Sequence, residues 1–528
     1  MTDPNPLLYP TGSPDPNDPP PTPSKHLHTA TSLDATIEHC MGDFAWAQLL
    51  QATLISLAWF FDAQQTFISV FTDAEPKWTC NNSSSSTTTT PAPPCTDLCR
   101  LPPDSWSWQL PASSSIISEW SLLCSGPIVT GLPASAFFLG CLVGGFAMAA
   151  LADSSLGRKN ALALSSLIMS LIGAAAAFSP NVWVYAGLRF VSGFGRSTIG
   201  TSALVLSTEL VGRRWREIVG VLGFTFFTLG FLSLPAIAFA LRGSSWRLLY
   251  LWTGVPSVMY SAVIYFVVRE SPRWLFIRGR QEEFAETLRS ISGTTNRATL
   301  TGSFFSRCEV EKGSAEADDV FSALRVLVGK GWSARRLVAV MVVAFGIGMI
   351  YYGMPLGLGN LSFDLYLSVT LNALSEFPAS VVTLLLIRKL GRRGFIVGLT
   401  LLSGICSVGC VVVEWRVMQV GLELVSFFGA CTAFDVVLIY TVELFPTCVR
   451  NSAVSMVRQA LVLGGTLSPV LVAAGRKNGL MLSYGVFGVT IAACGLAVVL
   501  LPETRGNVLC DTMEEEEGRW GAHQVYCV

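Results

Sequence analysis

Long apolar segments alternate with short polar turns along most of this chain. Each segment holds about 20 residues with few charges, the length that crosses the hydrocarbon core of a bilayer as a helix. We predict twelve such spans, at 47–70, 128–151, 160–178, 183–206, 218–240, 247–268, 337–357, 362–387, 395–413, 417–440, 452–474 and 481–501. The pattern therefore predicts an all-α membrane protein with twelve transmembrane helices.

A charged segment separates the first six spans from the last six. The predicted divisions are an N-terminal tail at 1–45, a first half at 46–268 with a polar loop at 71–126, a linker at 269–335, a second half at 336–501 and a tail at 502–528. We expect the linker to form short amphipathic helices at the inner surface of the membrane. The acidic run Glu514–Glu517 is expected to be solvated.

Basic residues mark one side of the predicted bundle. The turns after spans 2, 4 and 8 hold Arg158 and Lys159, Arg213, Arg214 and Arg216, and Arg388, Lys389, Arg392 and Arg393. The turns after spans 3 and 7 hold no Lys or Arg. Since cytoplasmic turns carry the excess of Lys and Arg, we predict that the linker and both tails are cytosolic. The polar, Pro-rich start shows no cleavable signal peptide, which agrees with a cytosolic N-terminal tail.

The loop at 71–126 is then exoplasmic, facing the cell exterior or a lumen. It contains two overlapping glycosylation sequons, at Asn81 and Asn82. Its four cysteines are Cys80, Cys95, Cys99 and Cys124. Four cysteines allow three pairings, among which the sequence does not choose. Glycans and disulfides both belong to the exoplasmic side, so these features agree with the predicted orientation.

Composition narrows the class of protein further. Of the 528 residues, 51% are hydrophobic and 13% are charged, against about 25% charged in soluble domains. The net charge of −1 gives no field that would attract a nucleic acid. No metal, nucleotide or catalytic constellation is visible, and the four histidines lie outside the spans. We therefore expect a lipid bilayer and a small molecule as partners, and no enzyme activity or cofactor.

Several motifs recur between the two halves. The turn ADSSLGRK at 152–159 has a counterpart in IRKLGRRG at 387–394, and RESPRWLF, NALSEFPA, YTVELFPTCVR and LPETRG follow at 269, 372, 440 and 501. With the Cys-bearing loop, these residues resemble the organic cation/anion transporter branch of the major facilitator superfamily. The chain looks most like plant organic cation/carnitine transporters over 33–506. The resemblance implies two six-helix halves and alternating-access transport of an organic cation or zwitterion such as carnitine. A monomeric functional unit, with protons as a possible coupling ion, is expected.

Two departures from the family pattern bear on substrate and gating. Animal cation carriers place Asp two residues before a Gly-Gly pair in span 11, where this chain has Val462, with Arg458 one turn earlier. This exchange favours zwitterions over simple cations. In the second Gly-Arg turn, Arg388 holds the place of the family's acid, and Glu443 is expected to supply that acid instead.

Charges inside the spans are the first candidates for binding, because an intramembrane charge costs several kcal/mol unless paired or hydrated. Asp62 in span 1 either faces the cavity as a protonatable carboxylate or hydrogen-bonds to a neighbouring helix. Arg196 in span 4 and Arg458 in span 11 either anchor a substrate carboxylate or form salt bridges between helices.

Spans 7 and 8 supply the remaining binding candidates. Glu376 matches the family's acid in span 8 and would attract a cation or transfer protons. Asp364 lies nearer the outer mouth, where it either binds substrate or makes an interfacial hydrogen bond. Tyr351 and Tyr352 offer aromatic faces, which attract quaternary ammonium by about 0.5–2 kcal/mol. Because they are adjacent, we expect one of the two to face lipid or another helix.

Charged residues at the predicted cytosolic ends of both halves are assigned to gating. They are Asp153, Arg158, Lys159, Glu209, Arg213, Arg214, Glu270 and Arg273, then Arg388, Arg392, Glu443, Arg450 and Glu503. Salt bridges there would hold the inner gate shut and break as the halves rock. The orientation of the chain in the membrane could by itself account for the basic residues, but it does not account for the acidic ones. Asp435, near the same end of span 10, is expected to join this network.

Two other functions stay open. A sugar–proton symporter is disfavoured by span 7, which reads AFGIGMIYYGMP and lacks the paired Gln and Asn with which sugar carriers hold hydroxyls. A non-transporting receptor on the same fold is of a different class. For location we expect the plasma membrane, with a vacuolar membrane as the alternative, since Asp3–Leu8 has the acidic-dileucine spacing read by sorting adaptors.

Overall fold

The structure is a computed structural model that describes residues 46–80, 99, 102, 105–152, 156–291, 320–361, 363–387, 389–506 and 510–518. Described helices of the first half are α1 Trp46–Phe67, α2 Ser69–Thr72, α3 Ile116–Glu119, α4 Pro127–Ala152, α5 Arg158–Ala176, α6 Val182–Arg196, α7 Ile199–Glu209, α8 Arg216–Ala240 and α9 Trp246–Val267. Polar side chains at several helix starts satisfy free backbone N–H groups. Asn181, for example, accepts hydrogen bonds from the N–H groups of Trp183 and Val184 at the start of α6.

The linker and the second half continue the helical pattern. Their described helices are α10 Pro272–Ile277, α11 Gln281–Ile291, α12 Val320–Gly329, α13 Gly331–Gly357, α14 Leu365–Leu386, α15 Arg392–Val412, α16 Arg416–Leu444, α17 Thr447–Asn478 and α18 Tyr484–Leu496. In the described part of the chain, ten helices are long and apolar enough to cross a membrane. The other two predicted spans fall on the α6–α7 pair, interrupted at Ser197 and Thr198, and on the shorter apolar stretch Tyr484–Leu500.

Helices of each half pack closely through small residues. A Cβ added at Gly193 of α6 would lie 1.9 Å from the carbonyl oxygen of Phe137 in α4, so only glycine allows this approach. Close backbone contact is the usual means of helix association in lipid, where burial of apolar surface gives no driving force. The two halves meet where α4 packs against α17 and α8 against α14.

The described part of the loop after α2 contains two strands that the sequence did not predict. Strands β1 Trp78–Cys80 and β2 Trp106–Trp108 pair antiparallel, with Trp78 opposite Trp108. A disulfide joins Cys99 to Cys124, and Cys80 is also disulfide-bonded. Cys95, Asn81 and Asn82 lie outside the described residues. The loop is thus tied to the start of α4.

The linker helices and the C-terminal segment both dock on the bundle. Helix α11 buries Phe284, Leu288 and Ile291, and the Gln48 side chain of α1 donates a hydrogen bond to the Ile291 carbonyl. Three of the four residues of the acidic run Glu514–Glu517 are exposed, as expected, and only Glu516 is half-buried. Glu516 pairs with Arg336 at 3.0 Å and Glu517 with Lys330 at 2.5 Å, because the segment folds back against the start of α13.

Candidate functional site

A cavity lies between the two halves. Its first-half wall includes Trp59, Asp62, Arg196, Phe224, Phe227 and Thr228. Its second-half wall includes Tyr351, Tyr352, Glu376, Phe434, Asp435 and Arg458. Apolar walls with a few converging polar groups suit a small-molecule ligand.

Asp62 and Arg196 form a buried ion pair on the first-half wall. The Arg196 guanidinium donates to both carboxylate oxygens, from Nε at 2.6 Å and from Nη2 at 3.3 Å. Asp62 is 3% exposed. Both residues line the cavity, and they form the contact between helices that was the alternative to a binding role, since their charges neutralise each other across α1 and α6. This pairing leaves little of either charge for a ligand.

Glu376 on the opposite wall has only neutral partners among the described residues. The Tyr351 hydroxyl donates to Oε1 at 2.9 Å and the Thr228 hydroxyl to Oε2 at 3.2 Å. The second contact crosses from α14 to α8, so this carboxyl joins the two halves. A buried carboxylate without a cation is costly, and a positive ligand group or a proton would remove that cost.

Arg458 lines the same cavity from α17. Within the described residues it makes no ion pair or hydrogen bond, in contrast to Arg196. Together Asp62, Glu376 and Asp435 bring three carboxyl groups to the cavity against two guanidinium groups. With all five groups charged, one negative charge is in excess. The Arg458 guanidinium is nonetheless available to bind a carboxylate.

Tyr351 and Tyr352 both line the cavity, and both rings also contact other helices, as we expected of one of the two. The reason is that α13 is buried on nearly all sides at this depth. The Tyr351 ring lies 4.8 Å from Phe434, and the Tyr352 ring lies 4.8 Å from Phe138. These rings form an aromatic wall beside Glu376.

One acid makes the hydrogen bond that was its alternative to a binding role, and another lies elsewhere than the sequence suggested. Asp364 is not among the lining residues of the cavity and instead caps α14, where its side chain accepts from the N–H of Leu367 at 2.9 Å. Asp435 lines the cavity instead of joining the charged network at the helix ends. The Ser380 hydroxyl donates to its carboxyl group at 3.4 Å. Helix α16 extends to Leu444, which leaves Asp435 more than two turns inside the helix.

The charged residues at the predicted cytosolic end of the first half form one network. Glu270 accepts hydrogen bonds from the backbone N–H groups of Arg158 and Lys159, which follow Gly157 at φ +85°. The Arg158 side chain pairs with Glu209 at 3.0 Å. Burial raises the pKa of Glu270, while the backbone N–H donors and the Arg158 charge oppose that rise. The acid thus fixes the start of α5.

The second half repeats this arrangement. Glu503 accepts from the backbone N–H groups of Arg392 and Arg393, and the Arg392 side chain binds both oxygens of Glu443 at 2.9 and 3.0 Å. The Thr504 hydroxyl adds a bond to Glu443 at 2.6 Å. In this conformation, the hydrogen bonds and ion pairs of these acids therefore join residues of the same half.

The remaining gating candidates are less informative. The Arg450 side chain donates to the Phe445 carbonyl, Arg214 is exposed, and Arg273 lies half-buried in α10. Asp153, Arg388 and the side chain of Arg213 lie outside what the structure describes.

Ring contacts close the cavity toward the opposite end of the bundle. Phe71 stacks on Tyr366 at 5.6 Å, and Phe239 meets the same ring edge-on at 5.6 Å. Phe71 and Phe239 belong to the first half and Tyr366 to the second, so the halves touch here. Toward the end with the Gly-Arg turns, the lining continues to Thr201 and Ser455. The ring contacts thus join the halves at one end, and the cavity extends toward the other end.

Several lining residues of the cavity were not predicted from the sequence. Trp59, Phe224 and Phe227 are apolar residues in apolar spans and carry no local signal. Gln459 and Thr228 do carry one, because a polar side chain in the middle of a span is unusual. Gln459 follows Arg458 and packs against Gly145 of the first half.

Known transporters are similar to this chain over most of its length. The family model described as "Sugar (and other) transporter" matches residues 64–515. "Organic cation/carnitine transporter 3" of Arabidopsis thaliana is 57% identical over 516 residues, 97% of each chain. "Organic cation/carnitine transporter 2" of Homo sapiens is 31% identical, covering 76% of this chain and 72% of the relative.

Solved structures show the fold. The proton:xylose symporter XylE bound to 6-bromo-6-deoxy-D-glucose matches with a TM-score of 0.57 at 17% identity, over 90% of this chain and 98% of XylE. The inward-open conformation of XylE from E. coli matches with a TM-score of 0.59 at 18% identity, over 89% and 98%. The prediction of a major facilitator fold is confirmed.

Proposed function

The chain belongs to the sugar (and other) transporter family of the major facilitator superfamily, and from that premise we propose that it transports small organic zwitterions and cations by alternating access. The preferred substrate carries a quaternary ammonium and a carboxylate, as carnitine does. One observation carries this proposal: Arg458 has no acidic partner among the described residues, in a cavity whose same wall holds carboxyl groups and aromatic rings.

The cavity offers a complementary group for each end of such a substrate. A guanidinium binds a carboxylate through two parallel hydrogen bonds, and the Arg458 guanidinium has no acidic partner among the described residues. An ammonium group is attracted to aromatic faces and to carboxylates, which Tyr351, Phe434, Glu376 and Asp435 supply. The names of the relatives, which mention organic cations and carnitine, support the same substrate class.

The described conformation corresponds to one state of the transport cycle. With the Gly-Arg turns on the cytosolic side, as the distribution of Lys and Arg favours, the cavity is inward-facing. Phe71, Phe239 and Tyr366 then form the closed outer gate. In the outward-facing state these rings separate, and the charged helix ends of the two halves approach each other.

Uptake into proteoliposomes tests this function. Purified protein is reconstituted, and entry of labelled L-carnitine, tetraethylammonium and xylose is compared with entry into protein-free vesicles. We expect saturable uptake of carnitine, weaker uptake of tetraethylammonium and none of xylose. Xylose uptake without carnitine uptake would support a sugar symporter, and saturable binding without uptake of any substrate would support a receptor.

The membrane in which the protein works is a separate question. We propose the plasma membrane, with a vacuolar membrane as the alternative. The segment Asp3–Leu8 lies outside the described residues but is testable in cells. Imaging of a C-terminally tagged chain and its Leu7→Ala/Leu8→Ala variant decides between the two. Surface signal in both supports the plasma membrane, whereas vacuolar signal that moves to the surface in the variant contradicts it.

A further inference from the structure

Polar residues line one face of α14, where it packs against α16. They recur every four residues as Ser368, Asn372, Glu376 and Ser380. The facing acids of α16 are Glu423, which bonds to Asn372, and Asp435, which bonds to Ser380. Glu376 and Asp435 belong to the cavity, but Glu423 is not among its lining residues. This acid therefore has no role in the binding site described above.

The surroundings of Glu423 are closed and incompletely hydrogen-bonded. Glu423 is 1% exposed and Asn372 is fully buried. The Asn372 Nδ2 amide donates to Glu423 Oε1 at 3.0 Å, while Asn372 Oδ1 has no partner among the described residues. Within the same part of the chain, the hydroxyl groups of Ser368 and Tyr484, both at least nine-tenths buried, also lack partners. Unsatisfied buried polar atoms in such a cluster call for an explanation.

No cation in the described part of the chain balances Glu423. The titratable groups that face it are Cys410 of α15 and Tyr484 of α18, with Cys431 on α16 itself. The packing partner on α14 is the amide of Asn372. A carboxylate in this setting pays the full cost of burial in a membrane without a counter-charge.

We propose that Glu423 is a proton-binding site, set one helical turn outward of Glu376 along the α14–α16 seam and separate from the substrate cavity. A proton from the exoplasmic water bonds to the free carboxylate oxygen of Glu423, which becomes a neutral carboxyl group. Its O–H then donates to Asn372 Oδ1, while Asn372 Nδ2 continues to donate to the other carboxyl oxygen. The resulting pair has two hydrogen bonds and satisfies the orphaned amide oxygen.

The position of the pair gives it a role in transport. Asn372 and Glu376 are four residues apart on α14 and share a face, and Ser368 continues that face toward Asp364 at the exposed start of the helix. A proton held at Glu423 is thus near the outer surface and one turn from the carboxyl group that faces substrate. This inference rests on the proposed transport function and places the site where the coupling proton first binds apart from the substrate.

Glu423→Gln is the decisive variant. Its amide occupies the same volume and reproduces both hydrogen bonds of the protonated pair, so we expect it to fold. Glu414→Gln, an exposed acid near the same end of α16, is the matched control. The first readout needs no substrate: infrared spectra of purified protein should show the carbonyl band of a protonated carboxyl group that Glu423→Gln lacks and Glu414→Gln retains.

The second readout is transport in proteoliposomes. A pH difference of one unit drives up to about tenfold accumulation in a one-to-one proton symporter, because one unit corresponds to about 1.4 kcal/mol. Glu423→Gln should exchange carnitine at wild-type rates yet lose this accumulation. Glu414→Gln should keep both activities.

The outcomes separate this inference from the proposed function. Absence of carnitine exchange in wild-type protein would contradict the substrate assignment, while the infrared band would still decide the protonation of Glu423. An unchanged infrared band in Glu423→Gln would overturn the inference. Proton-driven accumulation that persists in Glu423→Gln would overturn it as well, and dependence on Na⁺ in place of the pH difference would assign the site to a different cation.

Discussion

The two walls of the cavity differ in how their charges are balanced. On the first-half wall, Asp62 and Arg196 neutralise each other through two hydrogen bonds. On the second-half wall, Glu376 has only hydroxyl partners, and Arg458 makes no ion pair or hydrogen bond with the described residues. On the first wall the acid and the guanidinium are thus neutralised by each other. On the second wall a carboxyl group and a guanidinium are left without counter-charges that a ligand could supply.

This difference assigns separate tasks to the two halves. A buried ion pair holds helices in register and becomes strongly destabilising when one partner is removed. Unpaired charges in a cavity have the opposite character, since they cost stability until a ligand or proton binds. We infer that the first half supplies a rigid wall and that the second half carries recognition and coupling.

The largest effect should come from breaking the pair on the first wall. Asp62→Asn leaves the Arg196 guanidinium buried without a counter-charge, and such a loss typically costs about 3–5 kcal/mol. We expect a lower midpoint of thermal unfolding in detergent and less folded protein, whereas Glu376→Gln stays close to wild type in both. The double variant Asp62→Asn/Arg196→Gln should recover part of the loss. A stable Asp62→Asn protein that has lost only the pH dependence of uptake would show that Asp62, not its pair, matters for coupling.

A smaller but specific effect is expected on the second wall. Glu376→Gln keeps an acceptor for the Tyr351 hydroxyl but does not take up a proton. We expect carnitine uptake to become independent of pH, with about a tenfold loss of accumulation under a pH difference of one unit. Uptake measured at several external pH values, with surface amounts checked by labelling, tests this. Retained pH dependence would remove Glu376 from the coupling path.

The smallest effect concerns the hydroxyl group that holds Glu376. Tyr351→Phe removes a hydrogen bond worth about 0.5–1.5 kcal/mol but retains the aromatic face. We expect KM to rise about two- to tenfold for carnitine and tetraethylammonium alike. Tyr265→Phe, on an exposed tyrosine of α9, should leave KM unchanged. A change in KM for only one substrate would mean that the hydroxyl group binds that substrate directly.

The sequence predicts the architecture well because its signals are local. Runs of about 20 apolar residues mark the membrane helices, and the Gly-Arg turns mark their ends. These features require no knowledge of which helices become neighbours. The contacts of Glu270 and Glu503 with the starts of α5 and α15 do require it, since they join residues 112 and 111 positions apart.

The site was harder to predict, because it depends on contacts between distant residues. Asp62 and Arg196 are 134 residues apart, and their pairing follows only from the packing of α1 beside α6. Helix α13 buries both Tyr351 and Tyr352 because neighbours surround it. Asp435 was misplaced since the helix continues beyond the predicted end of its span. The local pattern of the sequence identifies polar residues within the spans. It does not show which of these residues, from different helices, come together at one cavity.

The central claim is that Arg458 recognises the carboxylate of a zwitterion, and a binding cycle tests it directly. Calorimetric titration compares L-carnitine with (2-hydroxypropyl)trimethylammonium, which lacks only the carboxylate, in wild-type protein and in Arg458→Ala. A charge-assisted hydrogen bond of about 1.5–3 kcal/mol predicts a wild-type preference for carnitine of roughly ten- to a hundredfold. In Arg458→Ala we expect the two Kd values to become equal, with the Kd of the analogue unchanged. A preference for carnitine that survives in Arg458→Ala would contradict the account.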